Sequence, residues 1–452
     1  MRAEGATRSN THENERDHAI ERRWLWLVLG LSVLARVAVA LYLGNVVDAP
    51  PLLTDQRSYH ALGERLLEGH GFSFDRDWYP FTLANTPTAH WSFLYSLFVA
   101  AVYALLGVHP VAVRLVQAVL GGLLIPWMVY RLAQRAFVGR RWTPLWAAAV
   151  AAGYAYLVLY AATLMTETFY IVLLLWSLNL GMDIGAALQG TVPVSARRWL
   201  GLGLVLGLAT LMRQSILPWL PFFFLWLLWQ SRASGQIKPT LRGLILAGLM
   251  VLALVLPWTV RNYAAYGRFL LLNSNTGYAM YSAQHPMHGT NFSEFAAAPL
   301  PEGFTWGNEA AMDRELLQLG IRYVLAEPGR YLLLCLSRVR AFVEFWPSAE
   351  TSTLHNLGRV VSFGLALPFM IYGLILGRKR RILHSTACLV VFFVLVYSVM
   401  HIMTWAMVRY RLPVDATLLP LAALGAEDVC ARVRLMLARR GMLHVKLPCE
   451  VA

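Results

Sequence analysis

Hydrophobic residues in this chain come in long blocks. Runs nearly free of charge cover about 24–43, 91–108, 111–131, 142–160, 164–186, 199–213, 215–231, 243–260, 359–377, 383–404 and 411–425. Most approach the ~20 residues that carry an α-helix through a hydrocarbon core of ~30 Å. The pattern predicts an all-α, polytopic transmembrane helical bundle of about 10–13 spans. A further stretch at 330–346 is ambiguous. Its Arg338 and Arg340 would be costly at mid-bilayer, so a position along the interface competes with a crossing. Two long polar segments, 44–88 and 262–329, interrupt the blocks. The first opens with "LLTDQRSYHALGERLLEGHGFSF", where Asp55 and Tyr59 share a helical face and Leu62, Leu66 and Leu67 form an apolar stripe. The second contains "NEAAMDRELLQLGIRYVLAEPGR", which predicts an amphipathic helix ended by Pro328-Gly329. No internal repeat and no recurring pair of broken helices stands out.

Charge orients this bundle. Hydrophobic residues make up 58% of the chain and charged ones only 14%, far from the balance of a soluble domain. The net charge of +14 is mostly arginine placed between hydrophobic runs, which argues for membrane orientation and lipid contact and against nucleic acid. Arg22/Arg23, Arg197/Arg198, Arg232/Lys238/Arg242 and "GRKRR" (377–381) are expected in the cytoplasm, with the two polar segments outside. The chain thus divides into a cytoplasmic disordered tail (1–22), an N-terminal transmembrane module (23–261) with its outer loop at 44–88, an outer segment (262–329), C-terminal transmembrane helices (330–425) and a basic cytoplasmic tail (426–452). The first hydrophobic run is read as a retained span, not a cleaved leader. "RLAQRAFVGRR" (131–141) also looks cytoplasmic, yet two expected spans separate it from the outer loop. Either one of those spans is re-entrant or these arginines break the rule. The four cysteines, Cys335, Cys388, Cys430 and Cys449, form no disulfide framework.

Candidate chemistry gathers on the outer side. Asp55 and Tyr59 form one station, and Glu167 in "LMTETFY" a second. Arg261 and Arg268 of "PWTVRNYAAYGRF" form a third, and Arg409, Tyr410 and Arg411 of "MVRYRLPVD" a fourth. A carboxylate can accept a proton from an attacking hydroxyl, and arginine can hold a phosphate leaving group. Each has a plainer reading. Asp55 can cap a helix, Tyr59 can pack, and the arginines can orient spans. Arg36, inside the first span, suits a structural pairing, and Arg114 with Gln117 suits packing. "HPMH" gives His285 and His288 a ligand-like spacing, but no third ligand is nearby. His60, His70 and His90 lack any compelling spacing.

Six motifs in order carry a family resemblance: "TDQRSYHALGERLLEGHGFSF", "VRLVQAVLGGL", "LMTETFY", "GLGLVLGLATLMRQSILPWLP", "PWTVRNYAAYGRFLLLNSNTGYAMYSAQHP" and "RYRLPVD". In these the chain resembles the bacterial branch of the dolichyl-phosphate-mannose-protein mannosyltransferase-like glycosyltransferases, of GT-C architecture, with the lipid A aminoarabinose transferases as relatives. The resemblance implies an inner-membrane enzyme with a periplasm-facing site. It would transfer a sugar, with inversion, from a polyprenyl-phosphate donor to a periplasmic lipid, glycan or protein acceptor. Asp55 would be the general base and Glu167 a second catalytic carboxylate. Tyr59, Arg261, Arg268, Arg409, Tyr410 and Arg411 would bind substrate. Two departures stand out: Gln56 where many relatives have an acid, and "TPTAHWSF" where they have an "RPPGYP"-like stretch. No cofactor is fixed, and a divalent metal stays open. The rival readings are an O-antigen ligase- or polymerase-like oligosaccharide transferase and a membrane transporter.

Overall fold

Long apolar helices set the frame. The computed structural model describes residues 2–47, 55–293, 296, 298–304, 306–349, 353–379 and 386–440, without the side chains of 2–18, 354 and 355. Five helices are long and apolar enough to cross a membrane: Ala19–Leu43, Pro110–Ala136, Glu167–Leu188, Ile237–Tyr266 and Asn356–Lys379. A sixth crossing joins Thr143–Gly153 to Ala155–Ala161 through a 58° bend. Ala196–Met212, Trp219–Gln230, Cys388–Met403 and Val408–Arg439 complete the bundle. The first helix runs from Arg2 to Leu43, so the polar residues read as a tail continue it. No strand occurs among the described residues, only isolated bridges at Ser73–Pro87 and Trp78–Thr82. The expected cytoplasmic positions 380 and 381, the start of the 383–404 run, Thr54 and Cys449 lie outside the described residues.

Contacts along the first helix fix directions. Ala40 packs with Ala118, Val33 leaves no room for a side chain at Gly122, and Tyr130 donates to Glu21. The first helix and Pro110–Ala136 are therefore antiparallel. At their shared end, Val111 N donates to Asn45 Oδ1 (3.0 Å) and Arg114 to Val46 O (2.7 Å). Residue 110 thus begins on the face where the first helix ends.

The helix between them, Phe93–Leu106, does not cross. It spans 14 residues, ~21 Å long at ~1.5 Å per residue and short of the ~30 Å core. It runs beside Asp55–Leu67, with Tyr59 against Tyr95, Gly63 against Val99 and His60 Nδ1 2.7 Å from Tyr103 Oη. The run at 91–108 is apolar because this amphipathic partner covers it. With that span removed, residues 131–141 fall on the same face as Glu21 and the Arg22/Arg23 pair, and the topological conflict disappears.

The bent crossing explains Arg36. Its Nη2 donates to Ala151 O (3.2 Å), and its Nη1 to Ala152 O (3.1 Å) and Ser32 Oγ (2.5 Å). These carbonyls lose their helical partners where Thr143–Gly153 stops. A guanidinium inside the bundle satisfies them without facing lipid.

The two polar segments meet on one face, which we call outer. Buried Glu309 accepts from Thr82 Oγ1 (2.6 Å), Ala89 N (2.7 Å) and Ser274 Oγ (2.7 Å), tying one segment to the other. Helices Thr276–Gln284 and Glu309–Ala326 cross so closely that a Cβ at Gly277 would strike the Asp313 carbonyl. Pro328–Val343 stays on this face too. Arg330 donates to Gln284 O (2.8 Å), Tyr331 to Met403 O (3.1 Å), and Arg411 to Phe342 O (2.5 Å) at the far end. Its Leu332, Leu333 and Leu336 are exposed, so it suits the interface rather than a crossing.

One flank of the bundle is short. Trp219–Gln230 has 12 residues and Cys388–Met403 has 16, ~18 and ~24 Å of helix. They pack through Trp219 on Phe392 and Phe393, and Trp226 Nε1 lies 3.4 Å from Cys388 Sγ.

Candidate active site

Four helix ends converge beneath the outer segments. Asp55 opens Asp55–Leu67, Glu167 opens Glu167–Leu188, and Arg409 is the second residue of Val408–Arg439. Arg213 directly follows Ala196–Met212. Carboxylates at helix N-termini and a cation at a C-terminus agree with the helix dipole. Arg409 sits at the wrong end for a cation, and the two carboxylates offset that.

Arg409 bridges them. Its Nη1 lies 2.9 Å from Asp55 Oδ2 and its Nε 3.0 Å from Glu167 Oε1, the latter an ion-pair contact with poor hydrogen-bond alignment. Arg213 Nη1 donates to the same Glu167 oxygen at 2.5 Å. Glu167 is only 2% exposed, and a carboxylate so buried requires such partners. The guanidinium of Arg213 stands 5.0 Å over the Tyr410 ring and that of Arg409 5.4 Å, within cation–π range.

A second layer holds the carboxylates in place. Gln56 Oε1 accepts from Arg114 Nη2 (3.0 Å) and Leu164 N (3.1 Å). Gln117 Nε2 donates to Thr163 O (2.6 Å) and Tyr160 O (3.0 Å). The turn before Glu167 and the start of the Asp55 helix are thus pinned to one helix, Pro110–Ala136. Arg114 and Gln117 do pack, and what they pack is the frame of the site.

A cavity of about 1870 Å³ opens here, and Asp55, Tyr59, Arg213, Arg409 and Tyr410 line its charged part. Glu167 lies behind the arginines and does not line it. An apolar arm runs past Val39, Leu43, Tyr156 and Val361, between the first helix, the bent crossing and Asn356–Lys379. Burial, with the Asp55 and Glu167 charges adding, raises the Tyr59 phenol above its ordinary range, so it remains a neutral hydrogen-bonding group. Burial lowers the His90 imidazole, and the Glu309 charge, a hydrogen bond with the Ser274 backbone and the Asp55 charge offset only part of that.

Other candidates sit elsewhere. Arg411 turns away, 3.0 Å from buried Asp415 Oδ1 and 3.5 Å over the Phe363 ring. Arg261 donates to Thr88 O (2.9 Å) and Phe72 O (3.3 Å) and covers Trp258, bracing the first outer loop. Arg268 is exposed, away from the cavity. His285 and His288 spend ring nitrogens on their own loop, at Met287 N (3.2 Å) and Ser282 O (3.0 Å). Among the described residues no group of three or more His, Cys, Asp or Glu side chains could hold a metal ion. Sequence reasoning missed Arg213. Its signal was an arginine closing an apolar run at the end opposite the basic loops, just before Pro218.

Fold and site together define a multi-span helical membrane protein of the GT-C-like glycosyltransferase fold, with a charged cavity at one face. The stretch 90–260 matches the family model for dolichyl-phosphate-mannose-protein mannosyltransferase, which bears out the resemblance read from the ordered motifs. That stretch holds His90, Glu167 and Arg213, while Asp55 and Arg409 lie outside it. No curated protein matches. The chain is similar in structure to the archaeal oligosaccharyltransferase AglB from Archaeoglobus fulgidus, in complex with an inhibitory peptide and a dolichol-phosphate. That match has 14% identity and a TM-score of 0.56 over 94% of this chain and 53% of that one. The apo form of the Archaeoglobus fulgidus oligosaccharyltransferase gives 14% identity and a TM-score of 0.57 over 94% and 52%. The chain therefore spans about half the length of these proteins. ArnT from Cupriavidus metallidurans bound to undecaprenyl phosphate also matches, at 14% identity over 95% of this chain and 81% of that one, with a TM-score of 0.38.

Proposed function

We propose that this chain is an inner-membrane glycosyltransferase that transfers a sugar, with inversion, from a polyprenyl-phosphate donor to a periplasmic acceptor. The observation that carries the reading is Arg409 shared between Asp55 and Glu167 beside Arg213, at the junction of a charged cavity and an apolar arm. The arm suits a polyprenyl tail. Arg213 and Arg409, which line the charged part, suit the phosphate at its head. An oligosaccharyltransferase of the same fold is known in complex with a dolichol-phosphate, which agrees with such a donor.

The chemistry follows from charge. Without donor, Arg409 neutralises Asp55. A donor phosphate competes for that guanidinium and frees the carboxylate. Asp55 then accepts the proton of an acceptor hydroxyl as its oxygen attacks the anomeric carbon. The bond from that carbon to the phosphate oxygen breaks, and polyprenyl phosphate leaves with its added negative charge held by Arg409 and Arg213. Glu167, behind both, fixes their positions. Arg261 braces the first outer loop and Arg411 a helix junction around this site, and Arg268 stands apart from it.

Reconstituted protein given labelled polyprenyl-phosphate sugars is expected to release polyprenyl phosphate and form a glycoside of opposite anomeric configuration. Retained configuration would remove the single-displacement reading. Transfer of an oligosaccharide from a lipid diphosphate, with no turnover of any monophosphate donor, would favour the ligase-like alternative.

A further inference from the structure

Beside the charged cluster the cavity has a wall that the proposed phosphate chemistry does not use. It is built on Ala89, His90 and Trp91, and its backbone is satisfied from behind. Ser274 N and Asn273 Nδ2 each donate to Ala89 O at 3.1 Å, and Asn273 Nδ2 also reaches Trp91 O at 2.6 Å. Asn273 is itself fixed by Gln214, whose Oε1 accepts from Asn273 N (3.1 Å) and whose Nε2 donates to Asn273 O (3.1 Å). The side chains in front are treated differently. Both residues line the cavity with ring surface, while His90 Nδ1 and Trp91 Nε1 are themselves buried and the Ser274 backbone holds the His90 imidazole by a hydrogen bond. A wall fixed from behind that shows rings to the cavity is made for something with an apolar face.

The rings around them say what. His90 meets Phe81, Trp91 and Tyr278 edge-to-face, with centroids 5.4, 5.2 and 6.4 Å away, and Trp91 meets Tyr59 at 5.7 Å. Tyr278 also joins Tyr79 through their hydroxyls, and both line the cavity. Rigid rings beside the polar side chains of Asn273 and Asn275, which line the same cavity, match a sugar ring, which offers an apolar C–H face and hydroxyls at its rim. An extended peptide would instead call for a row of backbone donors and acceptors, and here both backbone groups of Ala89 and the carbonyl of Trp91 are already taken.

We propose that the His90–Trp91 wall is the acceptor subsite and that the acceptor is a glycan, bound through one of its sugar rings. The inference rests on the glycosyltransferase reading above. The side of the cluster decides acceptor against donor. The wall touches Tyr59, on the Asp55 helix, and the base must face the acceptor hydroxyl. The guanidiniums, where the phosphate would sit, gather instead at the Tyr410 ring.

The test uses full-length protein in nanodiscs and saturation-transfer difference NMR. The probes are a panel of methyl hexopyranosides and pentofuranosides, a serine/threonine hexapeptide, and a short-chain polyprenyl phosphate with and without a sugar. At least one glycoside is expected to bind the wild type, and the peptide is not. Trp91→Ala should weaken that binding about tenfold, and Trp91→Phe, which keeps a smaller ring, about threefold, in line with the worth of one aromatic contact. Thermal unfolding of both variants checks that they fold, and Trp91→Phe keeps the test open if Trp91→Ala does not. Glycoside and polyprenyl-phosphate sugar should bind together. Peptide binding without glycoside binding, or glycoside binding unchanged in both variants, would overturn the proposal. Displacement of the glycoside by polyprenyl-phosphate sugar, but not by polyprenyl phosphate, would give the wall to the donor's sugar and overturn the acceptor assignment. Failure of the transferase reading looks different: neither lipid binds and no transfer occurs, while glycoside binding persists.

Discussion

Asp55 and Arg409 hold each other in the absence of ligand, and that pairing makes their variants separable. Asp55→Asn keeps the size of the side chain and removes its basicity. Transfer is expected to fall ~100-fold or more, the usual worth of a general base. Donor affinity should hold or rise, because Arg409 loses a competing anion. A purified Asp55→Asn protein with near-normal turnover would remove Asp55 as the base. Arg409→Lys keeps the charge but cannot span two carboxylates and a phosphate with one planar group, so donor affinity should fall about tenfold, a change of ~1.4 kcal/mol. Arg411 should behave in the opposite way. Its loss strands buried Asp415, at a cost of ~3–5 kcal/mol for breaking a buried pair. Arg411→Ala is therefore expected to lower thermal stability sharply while the folded fraction binds donor normally. In sequence the two arginines look alike, since they stand two residues apart at the mouth of one helix. Asp415, the Phe342 carbonyl and the Phe363 ring hold Arg411, while Arg409 meets Asp55 and Glu167.

Helix Phe93–Leu106 carries the strongest consequence at the scale of elements. In a cysteine-free background, cysteines placed at Glu68, His109 and Val138, all exposed, test it with an impermeant thiol reagent. Glu68 and His109 should react from the outer side and Val138 should be protected. A crossing helix predicts the reverse for the last two. Most of the bundle was legible in the hydrophobic blocks, because lipid demands apolar length whatever the partner. This helix was not, because an apolar run covered by a neighbouring helix reads the same as one covered by lipid. A second test concerns Asp313, which caps the crossing of Thr276–Gln284 by accepting Gly277 N at 2.6 Å. Burial, with the Glu309 charge adding, pushes it up to about 7 against backbone hydrogen bonds from Gly277 and Thr276. The folded value is raised for an acid, so this stabilising contribution is complete below the unfolded value of about 4 and is lost as pH rises through about 7. Hydrogen exchange in 276–284, corrected for intrinsic rates, should therefore be faster at pH 8 than at pH 6. Asp313→Asn should remove the difference.

At the scale of the whole molecule, the carboxylates are approached from both ends of the chain. Asp55 and Arg409 are separated by most of the sequence, so the site exists only once the last helix has packed. Sequence order alone singled out Arg261 and Arg268 and passed over Arg213, the one that meets Glu167; that choice belongs to how helix ends meet. The short flank formed by Trp219–Gln230 and Cys388–Met403 reaches this site directly, since Arg213 precedes one helix and Met407 and Arg409 follow the other. A bilayer thicker than that flank must stretch it, tilt it or thin to meet it, at a fraction of a kcal/mol per ångström. Lipid thickness thus becomes a mechanical load on the arginine pair. Turnover in vesicles of matched headgroup is expected to peak with short acyl chains and decline as the chains lengthen from 14 to about 22 carbons, within the range that mismatch can strain. Thermal stability measured in the same vesicles should follow the same order. A flat response across the series would mean that the neighbouring long helices shield the flank from the bilayer.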